Sequence, residues 1–296
     1  FRNKPDIIMV GYDSPKLVTF CRLFTRKKII YNALCSVYER MIVARGLYSK
    51  FSLHAFYYWF LDFLAVSSAD LVMLETDSQA DYFVNLFKVS KKKLVRSWTG
   101  VDEDNFFYDP SILKCPVFTV MFRGALMPES GAEYVVQAAK MLENKDIKFI
   151  MQSGGMGLHK IKELIENINP NNLELRPDLL PASQLRRTMQ ECQIVLGQLS
   201  DHPRVSRTIP HKAYESLAMR LPYLTASNRG VLELLKEGET CITCEPANAE
   251  SVAEKILWAK DNPEKLDQIA RNGYELYKAC LTPKALACRL LDKISS

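Results

Sequence analysis

Short apolar runs alternate with longer stretches whose apolar positions recur at helical spacing, almost from end to end of the chain. The runs at 6–10, 28–31, 71–74 and 94–98 predict strands in the first third. A polar, proline-bearing stretch follows from Asp102 to Pro116, and then the rhythm restarts. Strands are predicted at 117–122, 147–152, 173–175, 194–196, 223–225 and 241–243, with helices between them at 133–143, 158–167, 182–191, 212–219 and 251–260. Strands separated by helical spacers of this length cannot be hairpins; they predict β-α-β units and parallel sheets covered by helices on both faces. The expected fold class is α/β, with two doubly wound, Rossmann-like parallel-sheet domains facing across a cleft. The break at 102–116 predicts the boundary, with a first domain over 1–110 and a second beginning at 111. Ligands on open parallel sheets bind beyond the carboxyl ends of the strands, so the loops there are where chemistry is sought.

Composition changes this picture little. The 296 residues, 48% hydrophobic and 25% charged, are those of a globular protein long enough for two domains. The longest apolar stretch, 55–66, contains Asp62 and is well short of the roughly 20 residues that cross a bilayer. Eight cysteines are scattered, and only Cys241 and Cys244 have a C-x-x-C spacing, with no second pair or histidine to complete a zinc site. Reduced buried thiols, and hence a cytoplasmic location, are expected. The chain opens at Phe1 directly into a strand pattern and is read as a fragment whose first domain is incomplete.

Charge changes the picture more. Residues 1–100 carry 15 Lys/Arg against 8 Asp/Glu, whereas 101–296 carry 24 against 26. A basic first part joined to a nearly neutral second part suggests that the first meets something anionic. The clusters Arg26-Lys27-Lys28 and Lys91-Lys92-Lys93 each precede an apolar run and read individually as solvated turns before strands. The aromatic-rich segment 51–66 (FSLHAFYYWFLDFLAV) has two readings: a helix packed beneath the first sheet, or a helix lying on anionic lipid at the inner face of the cell membrane.

Three segments of the second part carry candidate chemistry. In 120–131 (VMFRGALMPESG) a strand runs into a loop holding Gly124 and Gly131, and a helix begins near Ala132, so backbone N–H groups at a helix start are offered to an anion. Ser153-Gly154-Gly155-Met156-Gly157 repeats the strand-loop-helix plan but lacks the dinucleotide spacing G-x-G-x-x-G. In 204–219 (RVSRTIPHKAYESLAM), Pro210 suits a first helical turn, and Lys212 and Glu215 share a helix face. An ammonium and a carboxylate there suit a phosphate and sugar hydroxyls; the plain alternative is a surface ion pair.

These residues resemble a known family. Ala69-Asp70-Leu71-Val72, Thr99-Gly100-Val101-Asp102 with Asn105-Phe106, the glycine loop at 124–131, Glu215-Ser216-Leu217-Ala218-Met219 before Leu221-Pro222, and Gly230 with Glu233 occur in the order and spacing of GT-B glycosyltransferases of family 4, the retaining, nucleotide-sugar-dependent group. The resemblance implies a donor-binding domain over 111–280 and a C-terminal helix, 281–296, returning to the first domain. It implies that Glu215 binds the nucleotide ribose, that Gly124 and Gly131 cradle the donor diphosphate, and that Gly230 brings backbone amides to the donor. The family pattern is broken at Arg207, where a first glutamate is usual, and at Ala125 and Ser130, where many members have Arg and Lys. Arg123, Lys212 and Arg207 are the neighbours able to restore that positive charge, and His211 adjoins them. No counterpart of the family's first-domain histidine occurs between Ile30 and Glu39, so no catalytic residue is assigned. The implied activity is transfer of a sugar from a UDP- or GDP-sugar to a saccharide or lipid-linked acceptor, with retention, in cell-surface polysaccharide or glycolipid synthesis. No cofactor, metal or nucleic acid is implied. The alternatives are a catalytically inert nucleotide-sugar-binding or scaffold protein and a nucleotide-sugar 2-epimerase.

Overall fold

The computed structural model describes residues 6–295 and divides into two compact units. The first comprises the chain up to Trp98 together with the residues from Leu290 onward; the second is Thr99–Arg289. Both are layered α/β structures built on all-parallel sheets.

In the first unit β1 (Ile7–Val10), β2 (Lys28–Leu34), β3 (Leu71–Leu74) and β4 (Leu94–Arg96) lie side by side in chain order. Helices α1 (Pro15–Phe24), α2 (Leu53–Ser68) and α3 (Asp77–Phe87) connect them. Ser52 caps α2 by accepting from Ala55 N at 3.1 Å, and Thr76 caps α3 by accepting from Gln79 N at 3.0 Å. Val18, Ile29, Val72, Ala65 and Phe83 join in its core. In the α2 segment Ala55, Asp62, Ala65 and Val66 are buried, as the packed-helix reading expects, while Phe56 and Phe60 face outward.

The second unit has six strands: β5 (Phe118–Ala125), β6 (Ile147–Gly154), β7 (Leu173–Arg176), β8 (Ile194–Leu196), β9 (Tyr223–Ala226) and β10 (Ile242–Cys244). Their spatial order is β10-β9-β8-β5-β6-β7. The chain starts in the middle, works outward to β7, then returns to the other side of β5. The order therefore reverses between β5 and β8, and that switch point is where such sheets open a crevice. The intervening helices are α4 (Ala132–Met141), α5 (Leu158–Ile168), α6 (Ala182–Glu191), α7 (His211–Ala218) and α8 (Arg229–Leu232), followed by α9 (Ala249–Asp261), α10 (Pro263–Cys280) and α11 (Pro283–Ser295). Central β8 is buried at all three positions, as its wholly apolar Ile-Val-Leu requires.

The division falls between Trp98 and Thr99, not at 110/111. The proline-bearing stretch is fastened to the second unit: Cys115 N donates to Glu191 O at 2.8 Å, Asp109 N to Gln190 Oε1 at 2.8 Å, and Lys114 Nζ to Cys192 O at 2.6 Å. A polar composition marked it as a linker, but these backbone and side-chain bonds make it part of the fold. The C-terminal segment also divides differently, since only its part from Leu290 onward groups with the first unit, where Lys28 Nζ donates to Ile294 O at 2.8 Å.

Other differences are local. β5 and β6 run two or three residues further than expected, so Gly124 and Gly154 end strands rather than sit in loops. The last strand is displaced by one residue from 241–243, and Pro210 precedes α7 instead of occupying its first turn. Helices α1, α3, α8 and α10 were not predicted, although α10 buries Leu266, Ile269, Ala270, Gly273 and Tyr277 at helical spacing. All eight cysteines are free thiols; burial pushes Cys241 and Cys244 up to about 12, which keeps them protonated and inert. Among the described residues no helix is long and apolar enough to cross a membrane.

Candidate functional site

The switch point of the second unit is built by the ends of β5 and β8 and the start of α7. Strand β5 ends in Arg123, Gly124 and Ala125, paired in register with Gln152, Ser153 and Gly154 of β6. Gly124 has φ +127°, a backbone conformation that side chains rarely permit, and here the strand turns into the loop above the sheet. Gly131 ends the loop at φ +71° and starts α4; a Cβ there would lie 2.6 Å from Ser200 N. The loop is thus pressed onto the segment after β8. Two side-chain contacts hold it there: Arg204 pairs with the buried Glu129 at 2.7 Å, and Ser200 Oγ donates to Glu129 O at 2.8 Å. Neither Glu129 nor Arg204 was legible as a site-building residue, because their pairing depends on two loops that meet only in the fold.

Lys212 projects from the first turn of α7 into this crevice. Its ammonium donates to Arg123 O at 3.1 Å and to Gly197 O at 2.9 Å, the carbonyls ending β5 and following β8. It also lies 4.1 Å from the centre of the Phe122 ring. Burial and the nearby Arg123 hold its pKa well below that of an ordinary lysine. Two of its three N–H groups are used in tying the strands together, which leaves one for another acceptor.

Glu215, one turn further along α7, pairs not with Lys212 but with Arg123, which it contacts directly. Its other oxygen, Oε1, meets His211 Nδ1 at 3.0 Å. The opposite ring nitrogen of His211 is 3.1 Å from Gly100 O. The carboxylate is nearly buried, at 5% exposure, and the Arg123 side chain is 17% exposed. Burial lowers Arg123 to about 10, and burial together with Arg123 holds His211 below the ordinary histidine value, against the two acceptors that face its ring nitrogens. The sequence pointed to these residues one by one; that Arg123 and Glu215 form a pair is a tertiary fact. His211 meets Glu215 because i and i+4 share a helix face, and Lys212 and Glu215, three apart, both reach Arg123 of β5.

Beside this group lies a cavity of about 530 Å³, lined by Arg123, Gly124, Gln152, Ser153, Asp178 and Leu179 among others. Its size is that of small-molecule sites. Gln152 Nε2 donates to Arg176 O at 3.1 Å and to Asp178 O, whereas Gln152 Oε1 and Ser153 Oγ are buried without a hydrogen-bond partner. Unpaired buried acceptors and hydroxyls are costly, and a polar ligand would relieve that cost. The sequence singled out the 153–157 loop only as a weak glycine motif and did not reach Gln152 or Asp178.

Of the remaining sequence candidates, Gly230 is buried in α8 against the backbone of Arg207 and Thr208, and a Cβ would come within 2.8 Å of both. Arg207 ends a short 3-10 turn and is half-buried. These two are brought to each other; neither lines the cavity. Among the described residues no group of three or more His, Cys, Asp or Glu is arranged to hold a metal ion.

A model of the family described as glycosyl transferases group 1 matches residues 114–276, more than half of the chain. The chain belongs to the glycosyl transferases group 1 family. The matched stretch contains every site residue named above except Gly100. Solved structures agree in fold. Anabaena Alr3699/HepE in complex with UDP-glucose is 15% identical, with a TM-score of 0.78 over 98% of this chain and 78% of that one. Sucrose-phosphate synthase from Thermosynechococcus elongatus is likewise 15% identical, with a TM-score of 0.78 over 97% and 72%. A point mutant of S. aureus TarM, solved with fondaparinux, α-GlcNAc-glycerol and UDP, is 13% identical, with a TM-score of 0.72 over 97% and 55%. At such identities the likeness is one of fold, and the two Rossmann-like parallel sheets of this group 1 protein are those of the GT-B class. No curated protein matches the chain by sequence.

Proposed function

We propose that this group 1 glycosyltransferase takes a nucleoside-diphosphate sugar, UDP- or GDP-linked, and transfers the sugar to an acceptor hydroxyl with retention at the anomeric carbon. The acceptor is a saccharide or lipid-linked saccharide of cell-surface polysaccharide or glycolipid synthesis. The observation that carries this reading is the meeting of Arg123, Lys212 and Glu215 at the end of β5, next to a cavity lined by Arg123 and Gly124. It is supported by the similar fold of a protein solved with UDP-glucose.

In this reading the nucleotide lies in the 530 Å³ cavity, where Gln152 Oε1 and Ser153 Oγ gain partners. Glu215 Oε1, engaged by His211, keeps a lone pair for a ribose hydroxyl. The diphosphate lies over Gly124 toward the start of α4, where the remaining N–H of Lys212 and the helix-end amides meet its charge. In the reaction the bond from the anomeric carbon to the diphosphate oxygen breaks, and its electron pair leaves with the diphosphate. A bond from the acceptor oxygen forms on the same face, and the hydroxyl proton is released. The protein's contribution is to stabilise the charge developing on the leaving group and to hold the reactants together.

The second reading, a nucleotide-sugar-binding protein without turnover, draws on the Arg123–Glu215 pair, which neutralises the ribose-binding carboxylate. A panel of UDP- and GDP-sugars with saccharide acceptors separates the two. Acceptor-dependent release of nucleoside diphosphate supports transfer; donor binding without release supports the inert protein. Glu215→Ala and the isosteric Glu215→Gln should weaken nucleotide binding about 10- to 100-fold, as expected for losing a charged hydrogen bond. Unchanged affinity in folded variants would remove the ribose assignment, and product analysis showing inversion would remove retention.

A further inference from the structure

The cavity of about 530 Å³ has two chemically different ends. One is Gly124 at the end of β5; the other is the turn 177–180 between β7 and α6. Gly124 pairs with Ser153 of β6, and Gln152 pairs with Arg176 of β7. Two strand spacings, about 10 Å, therefore separate the ends. That is the reach of a nucleoside between its base and its diphosphate. On the nucleotide reading above, the diphosphate lies over Gly124 and the base falls against the turn. What the turn offers then decides between uracil and guanine.

The turn is held by one side chain. Gln152 Nε2 donates to Arg176 O at 3.1 Å and to Asp178 O. Both partners are carbonyls, which fixes the orientation of the amide and spends both of its N–H groups. Gln152 thus has no donor left for a base carbonyl. Asp178 lines the cavity and is exposed there, and among the described residues it forms no ion pair. A carboxylate accepts two hydrogen bonds side by side and donates none. Guanine presents N1–H and a 2-amino N–H side by side, so each finds an oxygen. Uracil presents a single N3–H between two carbonyls, and one of these would face a carboxylate oxygen. Adenine and cytosine set an amine beside a bare ring nitrogen, with the same conflict. The carboxylate therefore discriminates by attraction and by repulsion together. Half-buried Leu180 and Leu185 add an apolar wall for the base.

We propose that the donor is a GDP-sugar, selected by the Asp178 carboxylate, which accepts from N1–H and the 2-amino group of guanine. Asp178 sets which nucleotide is held and takes no part in the transfer itself.

The test is calorimetric titration of the full chain with GDP, UDP, CDP, ADP and inosine diphosphate, whose base is guanine without the 2-amino group. GDP should bind at least about 10-fold more tightly than each of the others, as expected for a hydrogen bond to a charged acceptor. Asp178→Asn replaces one acceptor by a donor. It should weaken GDP about 10- to 100-fold and make xanthosine diphosphate, which has a carbonyl in place of the amino group, the tighter ligand. A gain of binding cannot come from misfolding, and circular dichroism establishes that the variant is folded. UDP bound as tightly as GDP, or more tightly, overturns the guanine assignment and leaves the nucleotide reading standing. If none of the five nucleotides binds, both fall. A folded Asp178→Asn that still prefers GDP to xanthosine diphosphate overturns the role of Asp178.

Discussion

The Arg123–Glu215 pair gives the sharpest quantitative expectation. In Arg123→Met the carboxylate, 5% exposed in the parent, loses its cation, and stranding one partner of a buried pair costs about 3–5 kcal/mol. One group can moderate that cost. His211 Nδ1 sits 3.0 Å from Glu215 Oε1, and Arg123 is one of the causes that hold its pKa down. Without Arg123 the imidazole takes up a proton more readily and supplies a substitute charge. The loss should therefore be larger in mildly alkaline solution, where the imidazole is neutral, than in acid solution, where it takes up a proton. In R123M/E215Q neither charge remains, so the double variant should recover most of the stability lost by R123M. Urea unfolding of a W59F/W98F background reads this out, because Trp258 on α9 is then the sole tryptophan and belongs to the second unit. If R123M costs under about 1 kcal/mol and the double-variant cycle shows coupling under about 0.5 kcal/mol, the pair is not what holds Glu215 in place, and the electrostatic account of the site fails.

Three further outcomes follow from the same geometry. Burial raises the carboxyl of Asp62 to about 7 against bonds from the Tyr38 and Val37 backbones and from Ser36 that favour its charge. The folded unit therefore keeps a proton between about pH 4 and pH 7 that the unfolded chain has released. Its stability should fall across that window by up to about 4 kcal/mol and level off above about pH 7. Asp62→Asn should flatten the profile in urea titrations at each pH; an unchanged slope would mean that Asp62 is solvated. His211 should titrate below the ordinary histidine range in an NMR pH series of the imidazole signals, because burial and Arg123 both oppose its charge; a midpoint above the ordinary value of 6.5 would contradict this. Gly131→Ala combines a left-handed backbone with a Cβ 2.6 Å from Ser200 N, and should lower stability by about 1–3 kcal/mol in thermal unfolding; a neutral result would show that the loop is free to shift.

The alternation of strands and helices was legible because it is local. A run such as Ile194-Val195-Leu196 has no polar side chain to offer water, so it becomes a buried central strand, and the helical spacers between runs leave parallel pairing as the way to connect them. The same reasoning gave the candidate crevice, since Gly124, Gly131 and the start of α7 are placed by strand ends and helix starts. It failed where local composition and long-range bonding disagree: 102–116 reads as a linker, yet its polar groups bond to Glu191, Gln190 and Cys192. It also failed on partners. Helical spacing puts Lys212 and Glu215 on one face and so suggests that they pair, but only the fold brings Arg123 to Glu215 and two strand-end carbonyls to Lys212. Likewise the aromatic content of 51–66 fixes that α2 is apolar, whereas the packing of Ala55, Asp62 and Val66 inward selects which of its rings face water. Periodicity, parallel layering and the residue types at the crevice could be read along the chain, because backbone geometry and hydrophobic burial act over a few residues. Which charges neutralise one another, and which apolar side chains stay outside, emerged with the folded arrangement, because a buried ion finds its counter-ion through space and not along the chain.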